Sequence, residues 1–133
     1  VPNITVENVD IGSAILQDAE FREDVIVFAG ADTLAAGTIM ARDSVSLKLV
    51  PFVKGGATNE NGIPKAILTY EVTAAGAGDV PVRIGVSGKY RKQRLVIDAD
   101  GDDSNIDKAV IDQLRDYSLV PIDVDELNIL DNQ

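Results

Sequence analysis

Carboxylates stand at alternate positions in the stretch Asp98-Ala99-Asp100-Gly101-Asp102-Asp103-Ser104-Asn105. That spacing lets several oxygens converge on one hard cation, as in an EF-hand calcium loop. Three parts of such a loop are missing. Asp103 stands where the turn glycine belongs, Ala109 stands where the bidentate glutamate belongs, and a strand-like run precedes the loop in place of a helix. The residues fit better an acidic turn that caps the helix after it. A secreted or surface calcium-binding β module using 98–105 is the alternative reading.

Other chemistry has less to work with. The chain has no Cys and no His, so disulfides, the usual structural zinc sites and the Ser-His-Asp and Cys-His arrangements are all excluded. Neither a phosphate-binding Gly-rich loop ending in Lys-Ser/Thr nor a GxGxxG fingerprint occurs. Many Asp residues offer pairs for acid–base work, but surface Asp is common and nothing in the sequence marks one as buried. We therefore expect no catalytic residues, no cofactor and no metal site.

Four of the twelve Lys and Arg residues fall in Lys89-Tyr90-Arg91-Lys92-Gln93-Arg94, where the tyrosine could stack on a base. The formal net charge of −10 opposes phosphate backbones and anionic lipid heads, which argues against nucleic acid and membrane partners. Residues 98–133 carry eleven Asp and Glu against two Lys and Arg. Pairing of Lys89, Arg91, Lys92 and Arg94 with that acidic third, within or between subunits, is the more economical account, and these four form the expected subunit-contact patch.

The elements that must position these groups can be read from apolar spacing. A length of 133 residues suits one domain with one core. The chain is 45% hydrophobic but only 5% aromatic, so Val, Ile, Leu and Ala must build that core, which favours strands. From Val25 onward, short apolar runs are punctuated by Gly and Pro: VIVF at 25–28, TIMAR at 38–42, LKLVPFV at 47–53 and KAILTYEV at 65–72. In 80–86, Val80, Val82, Ile84 and Val86 alternate with Pro81, Arg83 and Gly85, so one face is buried. Pro81 cannot donate to a ladder and should lie at an edge or face away from its neighbour. The period then changes. Ile106, Ala109, Val110, Leu114 and Tyr117 share one helical stripe, predicting a helix over about 105–117 with Ser104 or Asn105 as N-cap and a short apolar strand or tail beyond it.

Residues 1–24 lack a sustained helical period. Ile4, Val6, Val9 and Ile11 alternate with polar residues, which fits either a first strand of the body or an extended arm that pairs with another chain. No stretch approaches the roughly 20 apolar residues of a membrane span, and VPNITVEN lacks the basic and apolar regions of a secretory leader.

The segments ADTLAAGTIMARDSVSLKLVPFV at 31–53 and GIPKAILTYEVTAAGAGDVPVRIGVSG at 62–88 resemble the head decoration protein family of tailed phages typified by the lambda protein D. The resemblance lies in the order of several features. They are the Gly-Thr-apolar-apolar step at 37–40, the turn from Asp43 to Lys48 leading into Leu49-Val50-Pro51-Phe52, the Pro-x-Ala-apolar-apolar strand at 64–68, and the strand ending in Ser87-Gly88. The terminal QLRDYSLVPIDV looks like that family's closing helix and last apolar segment. Leu47 and Ser118 depart from it, standing where Gly is usual or expected.

The resemblance implies a mostly β, barrel-like (β-tulip) domain at 25–133 with one short C-terminal helix, preceded by an N-terminal arm at 1–24. It also implies a non-enzymatic cement protein on the outer surface of the virion, made in the host cytoplasm. The partners would be the major capsid protein and the protein itself as a homotrimer at capsomer threefold and quasi-threefold junctions, stabilising the expanded head against genome pressure. Ile4, Val6, Val9 and Ile11 are the expected capsid-binding residues of the arm.

Overall fold

A computed structural model describes residues 14–123. Eight strands and one helix follow one another: β1 (Ile15–Phe28), β2 (Asp32–Leu34), β3 (Ile39–Arg42), β4 (Leu49–Pro51), β5 (Pro64–Leu68), β6 (Val72–Ala74), β7 (Gly78–Arg91), α1 (Lys108–Asp116) and β8 (Leu119–Ile122). Strands β1-β4-β3-β5-β7 form one sheet, and the pairing of β1 with β7 closes it into a five-stranded barrel. Strand β8 extends that sheet by lying parallel to the end of β7, from Gly88 opposite Leu119 to Arg91 opposite Ile122. Strands β2 and β6 form a separate pair.

Strand alternation sends neighbouring residues into two different cores. Met40, Ala66 and Leu68 join Ile26, Phe28, Leu49, Val82 and Ile84, drawn from all five barrel strands, in the interior cluster. Leu34, Val72 and Ala74 of the small β2–β6 pair pack on the same cluster. Ile39, Ala41 and Ile67 point the other way and meet Phe52, Leu95, Ile97, Ile106, Val110, Leu114 and Leu119 outside the barrel wall. This is why β3 and β5 read as nearly continuous apolar runs: both of their faces are covered.

Several sequence-based expectations shift for local reasons. The domain boundary at 24/25 falls inside β1, because residues 15–24 pair with β7 as far as Tyr90. The run at 47–53 yields only β4, since Leu47 sits at φ 63°, outside the extended region. The run at 65–72 breaks after Leu68 because Thr69 and Tyr70 serve β7 with their side chains. Thr69 Oγ1 donates to the Arg83 carbonyl (2.7 Å) and the Arg83 N–H donates to the Tyr70 hydroxyl (3.1 Å), so two hydroxyls satisfy both backbone polar groups of a residue that β5 no longer reaches. Pro81 is registered opposite Val25, whose own N–H is taken by the Asp24 carboxylate (2.8 Å).

The helix begins later than expected. Ser104 and Asn105 are spent in turns, and Asp107 is the N-cap, its carboxylate accepting from the Val110 N–H at 3.1 Å. Ala109 is exposed, and the buried stripe runs through Ile106, Val110 and Leu114. Ser118, just past the helix, takes φ 68°, the left-handed position where a Gly C-cap is expected.

Gly37 gives the Gly-Thr step its physical reason. Its φ is 90°, its N–H donates to the Leu68 carbonyl (2.8 Å), and its carbonyl accepts from Val96 (2.9 Å). A Cβ at Gly37 would overlap the Arg94 carbonyl oxygen. Thr38, fully buried, satisfies its hydroxyl on the Ala35 carbonyl at 2.6 Å. Gly37→Ala should therefore destabilise by at least ~2 kcal/mol and lower Tm by on the order of 10 °C. Ser118→Gly and Leu47→Gly should each stabilise by up to about 1 kcal/mol, since they relieve left-handed strain at exposed positions. Thermal denaturation of the three variants beside the parent checks both signs.

Candidate functional site

The features that could meet a partner gather where the chain enters β1. Ala14 and Ile15 pack against the outer cluster. The Arg91 N–H donates to the Ala14 carbonyl (2.6 Å), and Arg91 Nη1 donates to the Ile15 carbonyl (3.4 Å). A 3₁₀ turn at Lys92–Arg94 follows directly. Beside it opens a depression of about 480 Å³, whose lining includes Ala14, Arg94, Leu95, Gly101, Asp102 and Asp103.

Of the four cations expected to form one patch, Arg91 is the exception. It is only 6% exposed, while Arg94 is open to solvent. Lys89 approaches Asp18 of β1 (3.9 Å) rather than the acidic C-terminal third. Lys89, Lys92 and Arg94 thus remain on the surface near the chain's entry, and Arg91 is drawn inward. Alternation along β7 cannot predict this, because Tyr90 is buried on the opposite face. The Tyr90 hydroxyl donates to the Ser87 carbonyl (3.0 Å), and burial pushes its pKa up to about 12. Ile4, Val6, Val9 and Ile11 lie outside the described residues.

The acidic stretch is a compact double turn. Ile97 and Asp102 bridge, the amides of Asp100 and Gly101 donate to the Ile97 carbonyl, and the Asp102 carboxylate accepts from the Ser104 amide at 2.9 Å. Among the described residues, no three Asp or Glu side chains come together as cation ligands. Among them, too, no helix is long and apolar enough to cross a membrane.

A second surface feature is the turn from Asp43 to Lys48. The Asp43 carboxylate accepts from the amides of Val45 (2.8 Å) and Ser46 (3.0 Å), and Leu47 donates back to the Asp43 carbonyl. This tight turn holds Val45 and Leu47 out in solvent, 77% and 65% exposed. Its base is fixed by Arg42, which donates to the Leu47 carbonyl (2.9 Å) and grips Asp24 with Nη2 and Nη1 (2.6 and 3.1 Å), joining β3 to β1. The signal for it was the left-handed requirement at Leu47.

Compared with protein families, the chain matches the model of the bacteriophage lambda head decoration protein D over residues 6–119. The chain belongs to that family. The match spans the barrel, the outer core and α1, and ends at the start of β8. A search of curated proteins returned no match. Head decoration proteins are structural components of the phage capsid rather than enzymes, and membership makes this chain a capsid-associated virion protein.

The charge pattern of this decoration protein has a consequence for acid stability. Burial raises the Asp24 pKa, but the Arg42 hydrogen bonds and charge and the Val25 amide outweigh it and hold the carboxyl below its usual range. The amides of Ser46 and Val45 do the same for Asp43, Ser104 for Asp102, and Lys54 with the Val110 amide for Asp107. Each folded-state pKa is depressed, so the stability these groups contribute is present above the unfolded value near ~4 and lost as pH falls through the folded values. Asp98, raised by burial and by the charge of Asp32, works in the opposite direction. Tm should be nearly flat from pH 7 to 5 and fall below about pH 4. Asp24→Asn should lower Tm at pH 7 and flatten the acid slope. Calorimetry across this range checks both, and an unchanged slope in the variant would remove Asp24 from the account.

Proposed function

We propose that this protein is a cement subunit that binds the outer surface of the expanded phage head as trimers at capsomer threefold and quasi-threefold junctions, and there stabilises the shell against genome pressure. The family match over residues 6–119 carries this reading. The physics supports it: genome pressure strains the seams between capsomers, and a trimer bridging several subunits adds buried area that exists only in the assembled shell. A subunit that bears load should itself be stiff. The described residues close a barrel and cover its wall with a second apolar cluster.

The N-terminal segment is the proposed anchor. Ile4, Val6, Val9 and Ile11 supply alternate apolar side chains among Thr, Asn, Asp and Glu, the pattern suited to adding a strand to an exposed sheet edge of the major capsid protein. Backbone hydrogen bonds would give affinity and the apolar positions register. Lys89, Lys92 and Arg94 are proposed as subunit contacts, meeting the acidic surface of a neighbouring copy.

Deleting residues 1–12 tests the anchor. The truncated protein should melt within a degree or two of the intact one yet bind empty expanded heads at least about tenfold more weakly, the equivalent of ~1.4 kcal/mol. Undiminished head binding by the truncated protein would contradict it.

A further inference from the structure

Resting on the reading of the N-terminal segment as the capsid anchor, we infer that Arg91 is a positioning residue that fixes the direction in which that segment leaves the body. The ladder alone is poorly suited to the task. Between Ile15 and Phe21, β1 and β7 change register three times, and Asp18 takes φ 59°. Gly88, at φ 118°, lies against this irregular stretch so closely that a Cβ would overlap Ala19. Bulges of this kind interrupt pairing and bend the strand, so the regular part of the ladder, from Phe21 to Phe28, does not by itself set the course of the chain at Ala14.

Arg91 supplies a tie beyond the irregular stretch. Its amide holds the Ala14 carbonyl at 2.6 Å and its guanidinium reaches the Ile15 carbonyl at 3.4 Å, so main chain and side chain of one residue bond two consecutive peptides. The guanidinium is buried with the residue only 6% exposed. Removing a charge from water costs several kcal/mol unless hydrogen bonds replace the lost hydration, and the Ile15 carbonyl supplies one such bond. The flat fork of donors suits carbonyl oxygens in a way an ammonium does not. On the other side, Ala14 and Ile15 rest on the outer core. The root of the segment is thus held from two directions, by apolar contact and by Arg91.

The test uses Arg91→Met, which keeps the apolar stem but loses the donors, and Arg91→Lys, which keeps the charge but loses the fork. Each is made in the intact chain and in the chain lacking residues 1–12. Binding to empty expanded heads is titrated, and hydrogen exchange is followed at the amides of residues 15–17. In the intact chain Arg91→Met should weaken binding about tenfold and speed exchange at 15–17, with Arg91→Lys intermediate, while in the truncated chain the substitution should leave residual binding unchanged. Equal weakening in both backgrounds would overturn the inference, since Arg91 would then act through the body. Unchanged exchange in the intact variant would overturn the tie itself. Full binding by the truncated parent would remove the anchor reading and this inference with it, whatever the exchange shows. Should Arg91→Met fail to fold, the lysine variant carries the same comparison.

Discussion

Eleven registered residue pairs join β1 to β7, from Ile15 opposite Tyr90 to Phe28 opposite Gly78, and the rest of the molecule depends on that ladder. It turns an open sheet into a closed barrel, which removes two exposed edges that would otherwise be templates for aggregation. Because β7 runs on past its short pairing with β5, its far end also receives β8 and, through β8, supports α1. One pairing therefore holds the interior core and the outer core in fixed relation.

The ladder is regular where it must bear on the interior core and irregular where it leads to the segment. From Phe21 to Phe28 each residue advances with its partner, and Ile26, Val82 and Ile84 fill the barrel. A buried residue of this size contributes roughly 1.5–3 kcal/mol, so the interior and outer clusters both contribute substantially to stability. Toward Ile15 the glycines of β7 take over. Gly85 leaves space for the Tyr90 hydroxyl, and Gly88 lets the bulged β1 pass close by. The strand is bent there without loss of closure, a geometry suited to a rigid body that presents a segment to another protein.

Much of this was legible in the sequence, and the losses have physical causes. The β class, the closing helix and the alternating face of 80–86 follow from apolar spacing. Leu47 and Ser118, which stand where a Gly is usual or expected, both take left-handed φ. The length of β1 could not be read: Asp18, Glu20, Arg22, Glu23 and Asp24 look like a solvated arm, and only their pairing with β7 makes them a strand. Burial of Arg91 was hidden for a similar reason. A cation among three others reads as surface, and its carbonyl partners lie some 76 residues away in sequence. The helix cap moved from Ser104 or Asn105 to Asp107 because the acidic turn consumes two more residues than its composition reveals.

In the proposed function the protein is a stabilising layer over capsomer junctions, held by its N-terminal segment and by its own copies. Electron cryomicroscopy of the expanded head decorated with the intact protein addresses that most directly. The account predicts threefold-symmetric density on the outer surface at threefold and quasi-threefold positions, with each barrel oriented so that the Ala14 end faces the shell and extended density runs from it to the capsid protein. Density at other positions, isolated subunits without threefold contacts, or barrels with the Ala14 end turned to solvent would contradict it.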